Sequence, residues 1–168
     1  MSLLFLLRHA KAAWAQPGGK DFDRKLEESG KADAFAAAAA MAVNGWFPEK
    51  ILCSPAVRTR QTLAEALPPL GMTMDAVSFT DTLFHTDAAG YLEAIRACSG
   101  AKSLLVIGHN PMIEDVALAL AGSGPVDSLA ALAGGFPTAG LAVLRFDGPL
   151  SDAAPGAGHL EAFIVPAR

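Results

Sequence analysis

The sequence predicts an α/β fold, a three-layer α/β/α sandwich around a mostly parallel central sheet with an antiparallel edge strand. Short apolar runs, partly β-branched, alternate with longer alanine-rich stretches, which is typical of strands joined by crossover helices. The run from Leu104 to Ile107 is apolar throughout, which indicates a central strand covered on both faces. We predict six strands, over Leu3 to Leu7, Lys50 to Cys53, Ala76 to Phe79, Ser103 to Ile107, Gly140 to Phe146 and His159 to Val165.

The helices are predicted from their start and stop signals. Asn44-Gly45 ends the first helix, because both residues tolerate the left-handed conformation of a C-terminal cap. Ser54-Pro55 opens the second, with Ser54 as the capping residue. We predict helices over Glu27 to Ala42, from Ser54 to just before Pro68-Pro69, over Asp87 to Cys98 and from Asn110-Pro111 to near Gly122, with loops over Gly122 to Gly135 and Gly148 to Gly158.

Length and composition limit what the chain can be. Its 168 residues, 52% of them apolar and 18% charged, are expected to form a single domain over residues 1–168 with a sizeable core. A net charge of -4 argues against a surface for nucleic acid, although it permits a local cluster of arginines. Any anion site is therefore expected to be a focused pocket.

The two cysteines and the apolar N-terminal run bear on location. Cys53 and Cys98 are far apart and match no metal-ligand spacing, which indicates free thiols in a reducing compartment. The run over Leu3 to Leu7 is too short for an export signal and has no basic region before it. No stretch is long enough to span a bilayer. We expect a cytoplasmic protein without a membrane partner.

Two histidines and two arginines follow predicted strands. Arg8-His9 comes directly after the first strand, and His109 comes directly after the strand that ends at Ile107. Arg58 lies in the first turn of the helix that follows the strand ending at Cys53. In an open α/β sheet the carboxyl ends of the strands form the edge where ligands bind, and a helix N-terminus there favours an anion. Two imidazoles and two guanidiniums at one edge suit a phosphate group, because arginine can give it two parallel hydrogen bonds.

The segments around Arg8-His9, Arg58 and His109, taken in their order along the chain, resemble motifs of the histidine phosphatase (phosphoglycerate mutase-like) superfamily. They resemble most closely its short SixA-like phosphohistidine phosphatase branch. The three main blocks are Leu7-Arg8-His9-Ala10-Lys11-Ala12, Ser54-Pro55-Ala56 with Arg58-Thr59 and Gln61-Thr62, and Gly108-His109-Asn110-Pro111. Further similarity lies in Asp21-Phe22-Asp23-Arg24 through Leu26 to Gly30 and in Phe136-Pro137-Thr138-Ala139-Gly140, so the match covers most of the chain in order. A single block would be a weak signal, because Arg-His pairs are common. Three ordered blocks at strand-to-loop junctions are a strong one.

The resemblance implies a fold, a site and a reaction. It implies that His9 is the nucleophile, that Arg8, Arg58 and His109 surround the phosphoryl group, and that Arg24 adds a positive charge. The reaction would be two in-line displacements through a phosphohistidine, with no metal or other cofactor. The family's Arg-Pro-Leu-Thr is Arg24-Lys25-Leu26-Glu27 here. This departure bears on the orientation of the Arg24 side chain toward the site. Longer relatives use a carboxylate as general acid, and the best-placed candidate is Asp81, just after the third strand.

Three functions remain open. The first is a phosphohistidine phosphatase acting on a phosphorylated signalling or carrier protein, since no long lid-forming insertion separates Phe79 from Ser103. The second is a phosphatase of small phosphorylated metabolites, either phosphoesters or anhydrides, with Asp81 as proton donor. The third is a binding protein that holds a phosphoanion without turnover.

Overall fold

A mixed sheet of seven strands is the middle layer of the computed structural model, which describes residues 1–167. The strands are β1 (Ser2–Arg8), β2 (Lys50–Cys53), β3 (Val77–Phe79), β4 (Ser103–Gly108), β5 (Ala121–Ser123), β6 (Leu141–Phe146) and β7 (Gly158–Ile164). Their order across the sheet is β3-β2-β4-β1-β6-β7-β5. Only β6 among them is antiparallel to its neighbours, β1 and β7.

Helices cover both faces of the sheet. They are α1 (Glu28–Val43), α2 (Val57–Leu70), α3 (Thr82–His85), α4 (Ala88–Arg96), α5 (Met112–Leu120) and α6 (Val126–Ala133). Side chains alternate along a strand, so Phe5 and Leu7 of β1 pack with α1 and α2, whereas Leu4 and Leu6 pack with α3 to α6. This arrangement confirms the predicted three-layer α/β fold. Within residues 1–167, none of the helices is long and apolar enough to cross a membrane.

We predicted the antiparallel strand at the edge of the sheet, and this was wrong: β6 lies inside the sheet, between β1 and β7. The stretch after α5, which we predicted to be a loop, contains β5 and α6. Because β5 pairs in parallel with β7, it becomes the outer strand and leaves β6 and β7 in the interior. Alternating strand patterns do not show which strand is outermost, since that depends on pairing with a distant segment.

Helix α2 differs from the prediction at both ends. It begins at Val57 with Ala56 as the cap residue, and no side chain caps it, so the capping role predicted for Ser54 is wrong. It also continues through Pro68 and Pro69 to Leu70. Buried side chains in its second half, among them Leu70, pack into the core and hold the last turn in place despite the missing N–H donors.

The parallel strands bring three loops to one edge of the sheet. Arg8 at the end of β1 lies opposite Gly108 at the end of β4, and Cys53 at the end of β2 lies opposite Ile107. The pairing extends one residue further, because His9 N donates to Gly108 O at 3.0 Å and Ser54 N donates to Ile107 O at 3.1 Å. The residues that follow these three strands, His9, Ser54 and His109, therefore lie together at this edge of the sheet.

Candidate active site

His9 is buried and held with one ring nitrogen free for a ligand. The residue is 8% exposed, and its Nδ1 lies 2.8 Å from the carbonyl oxygen of Ala10. Because a carbonyl oxygen can only accept, Nδ1 carries the hydrogen and Nε2 keeps its lone pair. The Ala10 amide in turn donates to Thr62 Oγ1 at 3.0 Å, so the loop is anchored to α2. An imidazole in this state can act as a nucleophile through Nε2.

His109 lies beside His9. The two ring centroids are 5.4 Å apart, and His109 is 4% exposed. Its Nε2 lies 2.7 Å from Ser54 Oγ, and its backbone amide donates to the hydroxyl oxygen of Tyr91 at 3.1 Å. Phe84 of α3 packs edge-to-face on the ring at 5.5 Å. His9, Ser54 and Phe84 therefore contact the ring, while Tyr91 holds the backbone of His109.

Both imidazoles are neutral at physiological pH. Burial lowers the pKa of His9 to about 4, and the positive charges of Arg58, Arg8 and Arg24 add to this effect, although the hydrogen bond to Ala10 opposes it. Burial also lowers the pKa of His109 to about 3, with Arg58 and His9 contributing and Asp21 opposing. The ordinary value is 6.5.

These lowered pKa values predict a stability that depends on pH. Below about pH 6.5 the unfolded chain binds protons that the folded chain does not, so each histidine removes up to about 1.4 kcal/mol of stability per pH unit. Above pH 6.5 the free energy of unfolding is not reduced by these histidines. The reduction grows as the pH falls toward 4 for His9 and toward 3 for His109. We expect the free energy of unfolding in urea to fall between pH 6.5 and 4, with a shallower slope in His9→Gln. Equal slopes in both proteins would contradict the lowered pKa of His9.

Arg58 and Arg8 lie near His9, and hydrogen bonds from their outer nitrogens hold them in place. Arg58, which is 6% exposed, donates through Nη1 to the carbonyl oxygen of Asp21 at 2.8 Å and through Nη2 to Asp21 Oδ2 at 3.1 Å. Arg8 donates through Nη1 to the carbonyl oxygen of Phe136 at 2.9 Å. From the sequence we expected an arginine to give a phosphate two parallel hydrogen bonds. In Arg58 both outer nitrogens bond Asp21, and Nε has no hydrogen-bond partner.

Asp21 joins two of the predicted cations. Its Oδ1 accepts from Arg24 Nη1 at 3.1 Å, while Oδ2 accepts from Arg58. Partial burial raises the pKa of Asp21, but the hydrogen bonds and charges of the two arginines outweigh it and lower the pKa overall. Arg24 also donates through Nε to the carbonyl oxygen of Ala13 at 2.9 Å. The altered Arg24-Lys25-Leu26-Glu27 motif therefore still holds Arg24 next to the cluster.

Three buried side-chain nitrogens in this cluster have no hydrogen-bond partner. Among residues 1–167 the atoms with this property are Arg8 Nε, Arg58 Nε and His109 Nδ1. Buried polar atoms without partners are rare in folded proteins and need a specific reason. All three belong to residues around His9, which indicates a site for an anion with several oxygen acceptors. Within residues 1–167, no group of three or more His, Cys, Asp or Glu residues could hold a metal ion.

Asp81 is the one predicted site residue that is not brought into the cluster. It is exposed at the start of α3, and no hydrogen bond or ion pair of its carboxylate is found within residues 1–167. Arg60, two residues after Arg58 on α2, stacks on the ring of Phe79 at 4.3 Å. The general-acid role of Asp81 remains a prediction.

Sequence reasoning did not identify Asp21 and Ser54 as members of the site. Asp21 was part of a matched block, and its position three residues before Arg24 is a signal that could have been used. Ser54 was taken for a helix cap, because a serine before proline at a helix start has that role in most proteins. The proximity of Ser54 to His109 depends on the pairing of β2 with β4.

The geometry agrees with comparisons to known proteins. A model of the histidine phosphatase superfamily (branch 1) matches residues 4–81. A crystal structure from Agrobacterium tumefaciens, of a protein provisionally named phosphohistidine phosphatase SixA, is 38% identical and superposes with a TM-score of 0.83 over 98% of both chains. The chain belongs to the histidine phosphatase superfamily. Its position in the short SixA-like branch, predicted from the motif blocks, is confirmed by this likeness.

Other relatives in the histidine phosphatase superfamily match over nearly the whole chain. A solved structure of a protein from Nakamurella multipartita, also provisionally named phosphohistidine phosphatase SixA, is 29% identical with a TM-score of 0.81 over 99% of this chain and 97% of that one. An uncharacterised protein of Mycobacterium tuberculosis is 35% identical over 163 residues, covering 95% of this chain and 99% of the relative. These likenesses support a phosphatase activity of this superfamily.

Proposed function

We propose that this histidine phosphatase transfers a phosphoryl group from its substrate to Nε2 of His9 and then releases it to water without a metal. The proposal is carried by one observation: a neutral, buried imidazole with a free Nε2 lies beside buried nitrogens of Arg8, Arg58 and His109 that have no partner. A neutral imidazole is the form that can attack phosphorus, because a protonated ring has no lone pair to donate.

The arginines supply the charge stabilisation for this reaction. A phosphoryl group next to them gains about 1 kcal/mol per charge pair at 4 Å in water and about 4 kcal/mol at an effective dielectric constant of 20. The burial of Arg58 moves the interaction toward the second figure. Since Asp21 and the carbonyl oxygen of Phe136 hold the outer nitrogens, the cations need little reorganisation when the transition state forms.

The reaction takes place in two displacements. In the first, the bond from His9 Nε2 to phosphorus forms as the bond from phosphorus to the leaving group breaks. In the second, water attacks phosphorus and loses a proton, inorganic phosphate is released, and His9 returns to its neutral form. Both steps are in line, so the leaving group and later the water occupy the side of phosphorus opposite His9.

We further propose that the substrate is phosphohistidine on a protein. This substrate would make a general acid less necessary, because its leaving imidazole can depart with a hydrogen already on the other nitrogen. That fits the exposed position of Asp81, whose carboxylate has no hydrogen bond or ion pair with another group within residues 1–167. Residues 80–102 contain only the two short helices α3 and α4, whose Leu83 and Tyr91 pack in the core, while Phe84 of α3 lies against the ring of His109. The provisional name of the Agrobacterium relative, phosphohistidine phosphatase SixA, agrees with this substrate.

The substrate class is tested by comparing kcat/KM on three phosphodonors. They are a carrier protein phosphorylated on histidine, a phosphoserine peptide and p-nitrophenyl phosphate. We expect kcat/KM on the carrier protein to exceed the other two by at least about tenfold, which corresponds to about 1.4 kcal/mol of transition-state stabilisation. His9→Ala serves as the control for release that the enzyme does not catalyse.

Two other results of this comparison would favour the alternative functions. A higher kcat/KM on the phosphoserine peptide or the small ester would contradict the phosphohistidine substrate and favour a metabolite phosphatase. Tight binding of inorganic phosphate with no turnover of any of the three donors would contradict the phosphatase and favour a phosphoanion-binding protein.

A further inference from the structure

The hydroxyl group of Ser54 lies within hydrogen-bonding distance of two nitrogens, His109 Nε2 and the amide of Ala56. The ring nitrogen can donate or accept, whereas the amide nitrogen can only donate. Ser54 is fully buried, and its Oγ lies 2.7 Å from Nε2 of His109 and 3.5 Å from the backbone nitrogen of Ala56. An amide nitrogen can only donate, so toward Ala56 the hydroxyl acts as an acceptor. The hydroxyl hydrogen is then available for the other neighbour.

The backbone that carries this hydroxyl is fixed by two hydrogen bonds. The amide of Ser54 donates to the carbonyl oxygen of Ile107 at 3.1 Å, and its own carbonyl oxygen accepts from Thr59 Oγ1 at 2.8 Å. These bonds hold the backbone of Ser54 on both sides. Within residues 1–167, no acceptor other than His109 Nε2 is found for its hydroxyl. A buried hydroxyl hydrogen needs an acceptor, and Nε2 is the one in reach.

We infer that Ser54 donates its hydroxyl hydrogen to Nε2 of His109 and thereby holds the neutral ring with its own hydrogen on Nδ1. The opposite arrangement, with the hydrogen on Nε2, would leave the Ser54 hydroxyl hydrogen without an acceptor. It would also put a lone pair on Nδ1, which has no donor near it among the described groups. The lowered pKa of His109 supports a neutral ring with a single hydrogen to place.

This placement gives His109 a defined role, which rests on the proposed phosphatase function. An Nδ1–H group would donate to a phosphoryl oxygen beside His9, whereas a lone pair at Nδ1 would repel the same oxygen. Ser54 is then a positioning residue, because it acts on the phosphoryl group through His109. His109 stabilises the transferred group as a neutral donor, and the positive charge comes from the arginines.

The position of the hydrogen is measured by NMR with ¹⁵N-labelled histidine side chains in the folded protein at pH 7. Long-range ¹H–¹⁵N correlation distinguishes a protonated ring nitrogen from an unprotonated one. We expect a protonated Nδ1 and an unprotonated Nε2 in His109. His9 is the internal standard, because its bond to the carbonyl oxygen of Ala10 already requires a protonated Nδ1.

Substitution of Ser54 tests its effect on catalysis. In Ser54→Ala we expect loss of the Nδ1-protonated form of His109, a fall in kcat of about tenfold and little change in KM, with the His9 signals unchanged. Ser54→Thr keeps the hydroxyl and is expected to restore both the spectrum and the rate. The matched control is Ser123→Ala, which removes a hydroxyl 2.8 Å from Nδ1 of His159 far from the site. It is expected to change neither the His109 signals nor kcat.

The outcomes separate this inference from the proposed function. A protonated Nε2 in His109, or a mixture of both forms, would overturn the inference whatever the activity. An unchanged His109 spectrum and kcat in a folded Ser54→Ala would overturn it as well. If Ser54→Ala does not fold, the spectrum of the natural sequence decides. The expected spectrum in a protein that turns over no phosphodonor would support the hydrogen placement and contradict the phosphatase.

Discussion

Replacing His9 by alanine is expected to lower kcat by at least about 10⁴-fold, because the residue that forms the covalent bond to phosphorus is lost and nothing beside it can take its place. His109 is 5.4 Å away between ring centroids, but its Nε2 is held by Ser54, so it cannot substitute as nucleophile. The fold should persist, since His9 is neutral and its removal leaves no buried charge without a partner.

The covalent intermediate can be observed directly. Rapid quench with a labelled phosphodonor is expected to trap an adduct on His9 that is labile in acid and stable in base. His159→Ala is the control, because this histidine contacts Ser123 at the opposite end of the sheet order and not the cluster. It should retain both the adduct and the rate. Turnover that survives in His9→Ala, or an adduct on another residue, would contradict the mechanism.

Replacing Arg58 by alanine is expected to lower kcat by about 10² to 10³, the usual cost of losing one preorganised donor. Arg58 is the most deeply buried of the arginines around His9, and its Nε is one of the nitrogens without a partner. Arg58→Lys should also be impaired. A lysine has a single nitrogen and cannot bond Asp21 and approach the phosphoryl group at once.

The matched control for this prediction lies one half-turn away on the same helix. Arg60 stacks on Phe79 and donates through Nε to the carbonyl oxygen of Pro55 at 2.7 Å. Arg60→Ala should therefore leave kcat and inhibition by inorganic phosphate nearly unchanged. In Arg58→Ala, inhibition by phosphate should weaken together with kcat. Equal effects of the two substitutions would show that general positive charge, and not the placement of Arg58, controls the rate.

The role of Asp21 explains how an acidic protein keeps so many cations at one point. Two of its oxygens hold the outer nitrogens of Arg58, and a third bonds Arg24. Its carboxylate is 60% exposed, so it remains hydrated while it orients a buried guanidinium. The arginines are thereby fixed without a second buried charge, whose desolvation would be costly.

Much of the fold was predictable because the signals are local. The six strands predicted from apolar runs all occur within two residues of their expected ends, and the end of α1 at Asn44 follows from residues that tolerate the left-handed conformation. The short segments β5 and α6 were both missed. The residues of β5, Ala-Gly-Ser, have little strand propensity and form a strand because β7 offers them a partner. The residues of α6 are rich in Ala and Leu and lie between Pro125 and Gly134, so a local helix signal was present and was overlooked.

By itself, the sequence determined which residue types follow the strands: two histidines and two arginines at junctions that a parallel sheet must bring to one edge. Only the tertiary structure decided which atom of each residue is free to act. Burial makes both imidazoles neutral, and the carbonyl oxygen of Ala10 leaves Nε2 of His9 free. Asp21 takes both outer nitrogens of Arg58, so only its buried Nε has no partner. These effects depend on desolvation and on hydrogen bonds between residues far apart in the chain, and neither is present in a local pattern.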